Sequence, residues 1–130
     1  MDQRLTMLSI GVKDLDIATD FYETKFEWRK HKSSNKNAVF FKLNGFMLSL
    51  YQIDELSEDA TVDLKSSRYN SVVLVYNAES KKEVDELTAT LRDRRVTIIK
   101  EPEKASRGRY SSYVADPEGN LWEIVYNRLP

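Results

Sequence analysis

The chain contains no cysteine and a single histidine, His31, among its 130 residues. The absence of cysteine excludes disulfides, thiolate nucleophiles and cysteine-ligated zinc or iron–sulfur sites. A single histidine excludes any metal site that takes two histidines from one chain. His31 lies in the basic segment Arg29-Lys30-His31-Lys32, where we expect an exposed strand residue rather than a catalytic one.

The sequence also lacks an excess of charge of either sign. Lysine and arginine number 20 against 21 acidic residues, which gives a formal net charge of -1. Nucleic acids and anionic membranes are held by clustered positive charge. The short basic cluster Arg92 to Arg95 falls at the end of a predicted helix, where cations interact favourably with the helix dipole. We therefore expect no nucleic acid and no membrane as a partner, but a small organic ligand.

Long apolar runs are missing as well. No stretch approaches the length of a signal-peptide core or a membrane span, so a cytoplasmic protein is expected. The hydrophobic content of 41% is nevertheless enough for an ordinary core in a chain of 130 residues. These values predict one small soluble domain over residues 1–130.

The first half of the chain predicts strands around one helix. Apolar residues at helical spacing predict a helix at about 14–26, capped by Asp14. Asn44-Gly45 is typical of a tight hairpin turn. The predicted strands are Leu5–Val12, a polar strand from Trp28, Ala38–Phe41 and Phe46–Ile53. Residues 54–69 show no sustained period, and we expect a surface connection with at most one helical turn.

The second half repeats this order. Ser80 and Glu83 form a capping box for a helix at about 80–94. Asp116-Pro117-Glu118-Gly119 has the composition of a turn. The predicted strands are Ser71–Tyr76, Val96–Lys100, Arg107–Ala115 and Leu121–Tyr126.

Superposing Gly45 on Gly119 aligns the last strands of the two halves in the same phase, which indicates an internal repeat. We therefore predict an α+β fold of two βαβββ repeats, repeat one at about 1–60 and repeat two at about 68–130. Their eight strands would form a curved, mostly antiparallel sheet with a cleft, and the helices would cover the convex face.

Strand residues alternate between the two faces of a sheet. One phase is bulky and apolar, and it should pack beneath the helices: Leu8, Ile10, Leu48, Leu50, Val72, Leu74, Trp122 and Ile124. The opposite phase mixes small, polar, flexible and aromatic residues: Met7, Ser9, Met47, Ser49, Tyr51, Ser71, Val73, Glu123 and Val125. This mixture suits the lining of a ligand cleft better than a dry core.

Three segments carry a family resemblance over nearly the whole chain. They are Ile10–Leu15 leading to Asp20-Phe21-Tyr22, Phe40–Gly45, and Tyr113–Ile124 with its Asp-Pro-x-Gly turn and Trp-Glu-Ile strand. The chain resembles the vicinal oxygen chelate superfamily of glyoxalase I, fosfomycin-resistance and bleomycin-resistance proteins, and extradiol dioxygenases. It looks closest to uncharacterised glyoxalase-like members.

In metal-bearing members of this superfamily, the ligands occupy positions that fall here on Met7, Ser49, Ser71 and Glu123. Only Glu123 has a side chain that binds a hard or borderline divalent ion well. Three of the four positions thus depart from the family pattern, so we expect no metal and no cofactor. This departure weighs against glyoxalase, dioxygenase and metal-dependent epimerase chemistry, which need the ion.

Glu123 is the candidate catalytic residue, as a general base or as an anchor for a cationic ligand. The alternative is a carboxylate that only accepts hydrogen bonds from its neighbours. The candidate ligand-binding residues are Met7, Met47, Ser49, Tyr51, Ser71, Arg109, Tyr110 and Tyr113, where arginine and aromatic groups would hold a carboxylate or a flat ring.

Two functional classes stay open, beside a third option, a structural or regulatory interaction module, which would predict an apolar convex patch and a filled cleft. The first is a metal-independent protein that binds a small molecule in the manner of bleomycin-resistance proteins. The second is a lyase, isomerase or dioxygenase with a divergent site. The resemblance also implies a homodimer, since superfamily members of this size commonly build their clefts with two-fold symmetry.

Overall fold

The computed structural model describes residues 1–61, 63–65, 72–105 and 108–127. The chain divides into two compact units, Met1–Tyr69 and Asn70–Pro130. Their common boundary falls in the connection that the sequence predicts between the repeats. Among the described residues, no helix is both long and apolar enough to cross a membrane. Ser71 and Arg107, named in the sequence predictions, lie outside the described residues.

The first unit is a three-stranded sheet with two helices. Its elements are β1 (Met7–Val12), α1 (Leu15–Thr24), β2 (Ala38–Lys42), β3 (Met47–Gln52) and α2 (Ile53–Ala60). The strand order is β1-β3-β2, with β1 parallel to β3 and β2 antiparallel to it. The polar strand predicted from Trp28 is absent from this described sheet. That segment is irregular, and the His31 N–H donates a hydrogen bond of 2.7 Å to the Phe40 carbonyl of β2.

Helix α1 covers one face of this sheet. It starts where the Asp14 carboxylate accepts a hydrogen bond from the Ile17 N–H at 3.0 Å. Its buried Tyr22 lies with its ring centre 5.8 Å from that of Phe41 in β2. Leu48 and Leu50 of β3, in the phase predicted to face a helix, are buried. The predicted apolar face of the first repeat is therefore the core of this unit.

Helix α2 is longer than the single turn that the sequence predicts. Asp54 and Glu55 lie in its first turn, where acidic groups interact favourably with the helix dipole. Gly11 allows the helix to approach β1, since a Cβ atom there would lie 3.0 Å from Cγ1 of Ile53. This close contact comes from a residue about 40 positions earlier, so no local pattern of the segment reveals it.

The second unit is a four-stranded sheet with one helix. Its elements are β4 (Val73–Ala78), α3 (Lys81–Asp93), β5 (Thr97–Lys104), β6 (Tyr110–Ala115) and β7 (Leu121–Tyr126). The strand order is β4-β7-β6-β5, with β4 parallel to β7 and the other pairs antiparallel. The first and last strands of each unit are thus paired in parallel. Helices that accompany two mixed sheets confirm the predicted α+β class. The described residues hold seven strands rather than the eight predicted.

Helix α3 identifies the covered face of the second sheet. Ser80 caps it by accepting a hydrogen bond from the Glu83 N–H at 3.0 Å. Thr88, fully buried on this helix, shares a hydrogen bond of 2.7 Å with the Ser112 hydroxyl of β6. Ser112 lies opposite Ile124 in the strand register, so both face the helix. Val72, predicted for this apolar face, instead precedes β4 and is 52% exposed.

Candidate functional site

In the first unit, polar and aromatic groups lie on the sheet face away from α1. Ser9 and Ser49 are neighbours in the parallel register, and the buried Ser49 hydroxyl donates to Ser9 Oγ at 2.8 Å. Tyr51 lies two residues further along the same face, with its ring perpendicular to that of Phe40 and centred 6.0 Å away. The face therefore offers an ordered hydroxyl pair and a fixed aromatic ring.

A pocket of about 420 Å³ opens beside this hydroxyl pair, between the sheet and α2. We call it the α2 pocket. It is lined by Ser9, Asn35, Asn37, Ala38, Tyr51, Glu55, Leu56 and Asp59. Its volume falls within the range of about 300–1,000 Å³ that is typical of small-molecule sites. All of these described lining residues belong to the first unit.

A second pocket, of about 400 Å³, lies at the other end of β3. Its charged and titratable walls are Arg4, His31 and Lys42, and Met47 also lines it. His31 is half-buried in a loop rather than exposed on a strand, and its Nδ1 lies 2.7 Å from the Ser33 hydroxyl. The structure thus separates Met47 from Tyr51, although the sequence predicts both for one site.

In the second unit, Glu123 lies on the face away from α3. Its side chain is only 2% exposed, and Oε2 lies 3.3 Å from Nη1 of Arg109, whose side chain is 23% exposed. Tyr113 is the direct neighbour of Glu123 in the antiparallel register and shares its face. The structure therefore brings together Arg109, Tyr113 and Glu123, as the sequence predicts.

Tyr110 does not join this group. Its hydroxyl donates to Asp85 Oδ1 of α3 at 2.6 Å, which puts the side chain on the helix-covered side of the sheet. The hydrogen bond to Asp85 is the main cause that raises the pKa of Tyr110, and burial adds to it. The sequence prediction grouped Tyr110 with Tyr113, but three positions along a strand reverse the face on which a side chain lies.

The residues at the predicted metal positions do not fit a divalent ion. Glu123 is engaged by Arg109, and the Ser49 hydroxyl donates to Ser9. The register places Met7 beside Met47 and Val73 beside Leu121, so the second-unit counterpart of Met7 is Val73, which has no donor atom. No group of three or more histidine, cysteine or carboxylate side chains able to hold a metal occurs in the described part of the chain.

Comparison with known proteins identifies the family. The profile of the Glyoxalase/Bleomycin resistance protein/Dioxygenase superfamily matches residues 4–124. A glyoxalase-related enzyme from Fulvimarina pelagi is 30% identical, with a TM-score of 0.86 over 96% of this chain and 88% of that one. Lactoylglutathione lyase from Agrobacterium tumefaciens is 26% identical, with a TM-score of 0.75 over 97% of this chain and 95% of that one. The chain belongs to this superfamily.

Two acidic residues of the α2 pocket, Glu55 and Asp59, are absent from the sequence predictions. Both lie in helix α2 (Ile53–Ala60), whose first residue packs close to Gly11 of β1. The local signal was present, since acidic residues four positions apart share one side of a helix. Because the sequence predicts a surface connection there rather than a helix, this spacing did not indicate that the two side chains lie together.

Proposed function

We propose that this protein binds a small organic molecule in the α2 pocket, and that binding requires no metal ion. The observation that carries the proposal is the pocket itself, a space of about 420 Å³ with one aromatic wall and several fixed polar groups. In small-molecule sites an apolar or aromatic surface provides contact area, and polar groups fix the orientation of the ligand. Tyr51 supplies the aromatic surface, and the Ser9–Ser49 pair supplies an oriented hydroxyl.

The chemistry of the donor set supports metal independence. A zinc or nickel ion needs three or more nitrogen, sulfur or carboxylate ligands to replace its hydration shell. The predicted cluster offers a thioether, serine hydroxyls and one carboxylate, and that carboxylate already contacts a guanidinium group. Superfamily membership is compatible with this reading because the resemblance includes proteins that bind a molecule without transforming it.

A second candidate function is catalysis by Glu123 on a small metabolite, of the lyase, isomerase or dioxygenase kind. The observation that favours it is the group of Arg109, Tyr113 and Glu123 on one sheet face. A guanidinium group binds carboxylates well, and a neighbouring carboxylate can accept a proton from a bound substrate. Loss of turnover with retained binding in Glu123→Gln would distinguish this function from binding alone.

Replacement of Tyr51 tests the binding proposal. A ligand would first be found by thermal shift with aromatic and cationic molecules, in the presence of a chelator. Tyr51→Ala removes the aromatic wall, and we expect the dissociation constant of that ligand to rise by about tenfold or more, measured by calorimetry.

The matched control for this experiment is Tyr110→Ala. Its hydroxyl contacts Asp85 on the helix side of the other unit, so ligand affinity should stay within about twofold of the unchanged protein. Equal affinities in the Tyr51 variant and the unchanged protein would contradict the placement of the ligand in the α2 pocket.

We also propose that the protein is a cytoplasmic homodimer. The first strand of each unit, β1 or β4, lies at the edge of its described sheet and is paired on one side only. On β4, Val73, Val75 and Tyr76 are 40%, 45% and 43% exposed, and such apolar edge strands are usually covered by a partner. Light scattering at micromolar concentration should give twice the mass of the 15.2 kDa chain. A monomer in that measurement would contradict the dimer.

A further inference from the structure

We infer that the α2 pocket selects an organic cation, a molecule that carries an ammonium group next to an apolar part. This inference deepens the binding function proposed above and rests on it. Glu55 and Asp59 supply the negative charge, and Tyr51 supplies the surface for the apolar part or for a cation–π contact.

Helix α2 presents two negative charges to the pocket. Glu55 and Asp59 both line it and are four positions apart, a spacing at which like charges repel on a helix surface. Neither carboxylate has a hydrogen-bond or ion-pair partner among the residues that the structure describes. Asp54 on the same helix, by contrast, is paired with Lys65 outside the pocket. A bound cation would therefore relieve a repulsion that the described residues of this unit leave in place.

The position of Asp59 strengthens this point. It lies near the C-terminal end of α2, whose last turn contains no basic residue. The negative end of the helix dipole disfavours a carboxylate there. Asp59 therefore lowers the stability of the helix, and contact with a ligand of opposite charge would explain its presence at this position.

The other walls of the pocket match a cation rather than an anion. None of the lining residues that the structure describes is lysine, arginine or histidine. The Ser9 oxygen accepts the Ser49 hydroxyl hydrogen and keeps a second acceptor site. From these described walls an anionic ligand would meet two carboxylates and no positive charge, whereas an ammonium group could donate to either carboxylate.

The carboxylates and the aromatic ring come from two neighbouring elements of the first unit. Ile53, in the first turn of α2, lies close to Gly11 of β1, since a Cβ atom at Gly11 would lie 3.0 Å from Cγ1 of Ile53. Phe40 orients the Tyr51 ring by an edge-to-face contact. Carboxylates and ring are therefore presented from two elements whose spacing the fold sets.

The test uses the full-length, isotope-labelled protein and five small molecules. Phenethylamine, tyramine and benzyltrimethylammonium are cations, 2-phenylethanol is neutral, and 3-phenylpropanoate is an anion. Backbone amide shifts of residues 51–60 report on the pocket. We expect the amines to bind about tenfold or more tighter than 2-phenylethanol, by an amount that falls with added salt because the carboxylates are exposed. The anion should cause no shift in these residues.

Matched variants assign the effect to the two carboxylates. Glu55→Gln combined with Asp59→Asn should weaken amine binding by about tenfold, since both charges are lost. Glu58→Gln removes one charge from the same helix at a residue that does not line the pocket, and it should change affinity by less than about twofold. Because all three residues are exposed, the variants should keep the folded circular dichroism spectrum.

The outcomes separate this inference from the function on which it rests. Tighter binding of amines that is lost in the double variant supports both. Equal shifts from 2-phenylethanol and the amines, unchanged in the double variant, would overturn the cation inference and leave small-molecule binding intact. If none of the five molecules shifts residues 51–60 at millimolar concentration, the cation inference is overturned, and the binding function is decided separately by the thermal-shift screen and Tyr51→Ala.

Discussion

Arg109→Met is expected to lower the free energy of unfolding by about 3 kcal/mol at neutral pH. The substitution keeps much of the apolar stem and removes the guanidinium group, whose Nη1 lies 3.3 Å from Glu123 Oε2. It leaves behind a carboxylate that is only 2% exposed and cannot regain full hydration. Urea unfolding followed by tryptophan fluorescence, with linear extrapolation, measures the change.

The control is the double variant Arg109→Met with Glu123→Gln. A neutral amide in place of the carboxylate removes a buried negative charge that has lost its guanidinium neighbour, so part of the lost stability should return. The double variant should therefore be more stable than Arg109→Met alone. If Arg109→Met costs less than about 1 kcal/mol and Glu123→Gln restores nothing, the two side chains are not coupled.

Asp116→Ala is expected to lower the free energy of unfolding by about 2–3 kcal/mol. Asp116 is buried in the turn before β7, and its Oδ1 accepts hydrogen bonds from the N–H groups of Glu118 and Asn120, each at 2.9 Å. Its Oδ2 accepts from Nδ2 of Asn120 at 2.8 Å. Alanine removes all three acceptor contacts and releases the turn that aligns β7 with β6.

Asp116→Asn is the matched control for this turn. The amide oxygen can still accept the two backbone hydrogen bonds, while the bond from the Asn120 side chain is lost. We expect a cost of about 1 kcal/mol, clearly less than that of alanine. Equal losses for the two variants in urea unfolding would show that the negative charge, not the acceptor geometry, stabilises the turn.

Most of the fold follows from strand alternation and turn chemistry. Leu48, Leu50, Trp122 and Ile124 were predicted to face the helices, and all four are buried. The predicted turn glycines, Gly45 and Gly119, both have a φ of +83°, which glycine adopts without strain. These patterns are local in the sequence, so they can be read without knowledge of the tertiary structure.

The parts that the sequence could not supply depend on contacts between distant segments. Helix α2 packs close to Gly11, where a side chain would collide with Ile53. Tyr110 points to the helix-covered face of its sheet, where its hydroxyl donates to Asp85. The separation of Met47 from Tyr51 reflects the positions of loops at opposite ends of β3. None of these has a periodic signature in the chain.

The start of β4 shows how a small shift in register changes the candidate site. The sequence predicted a strand at Ser71–Tyr76, whereas the structure has β4 at Val73–Ala78. The observed pairing with β7 makes Val73 the counterpart of Met7. A shift of two residues is one full period of a strand, so the side chain stays on the same face. The residue at the predicted metal-ligand position nevertheless changes from serine to valine.

The most direct test of metal-independent binding is a calorimetric titration of the ligand before and after dialysis against EDTA, together with elemental analysis of the same samples. We predict an affinity unchanged within about twofold and no stoichiometric transition metal in either sample. The contradicting result is near-stoichiometric zinc, nickel, iron or manganese that is lost on Glu123→Ala, with ligand binding abolished by EDTA.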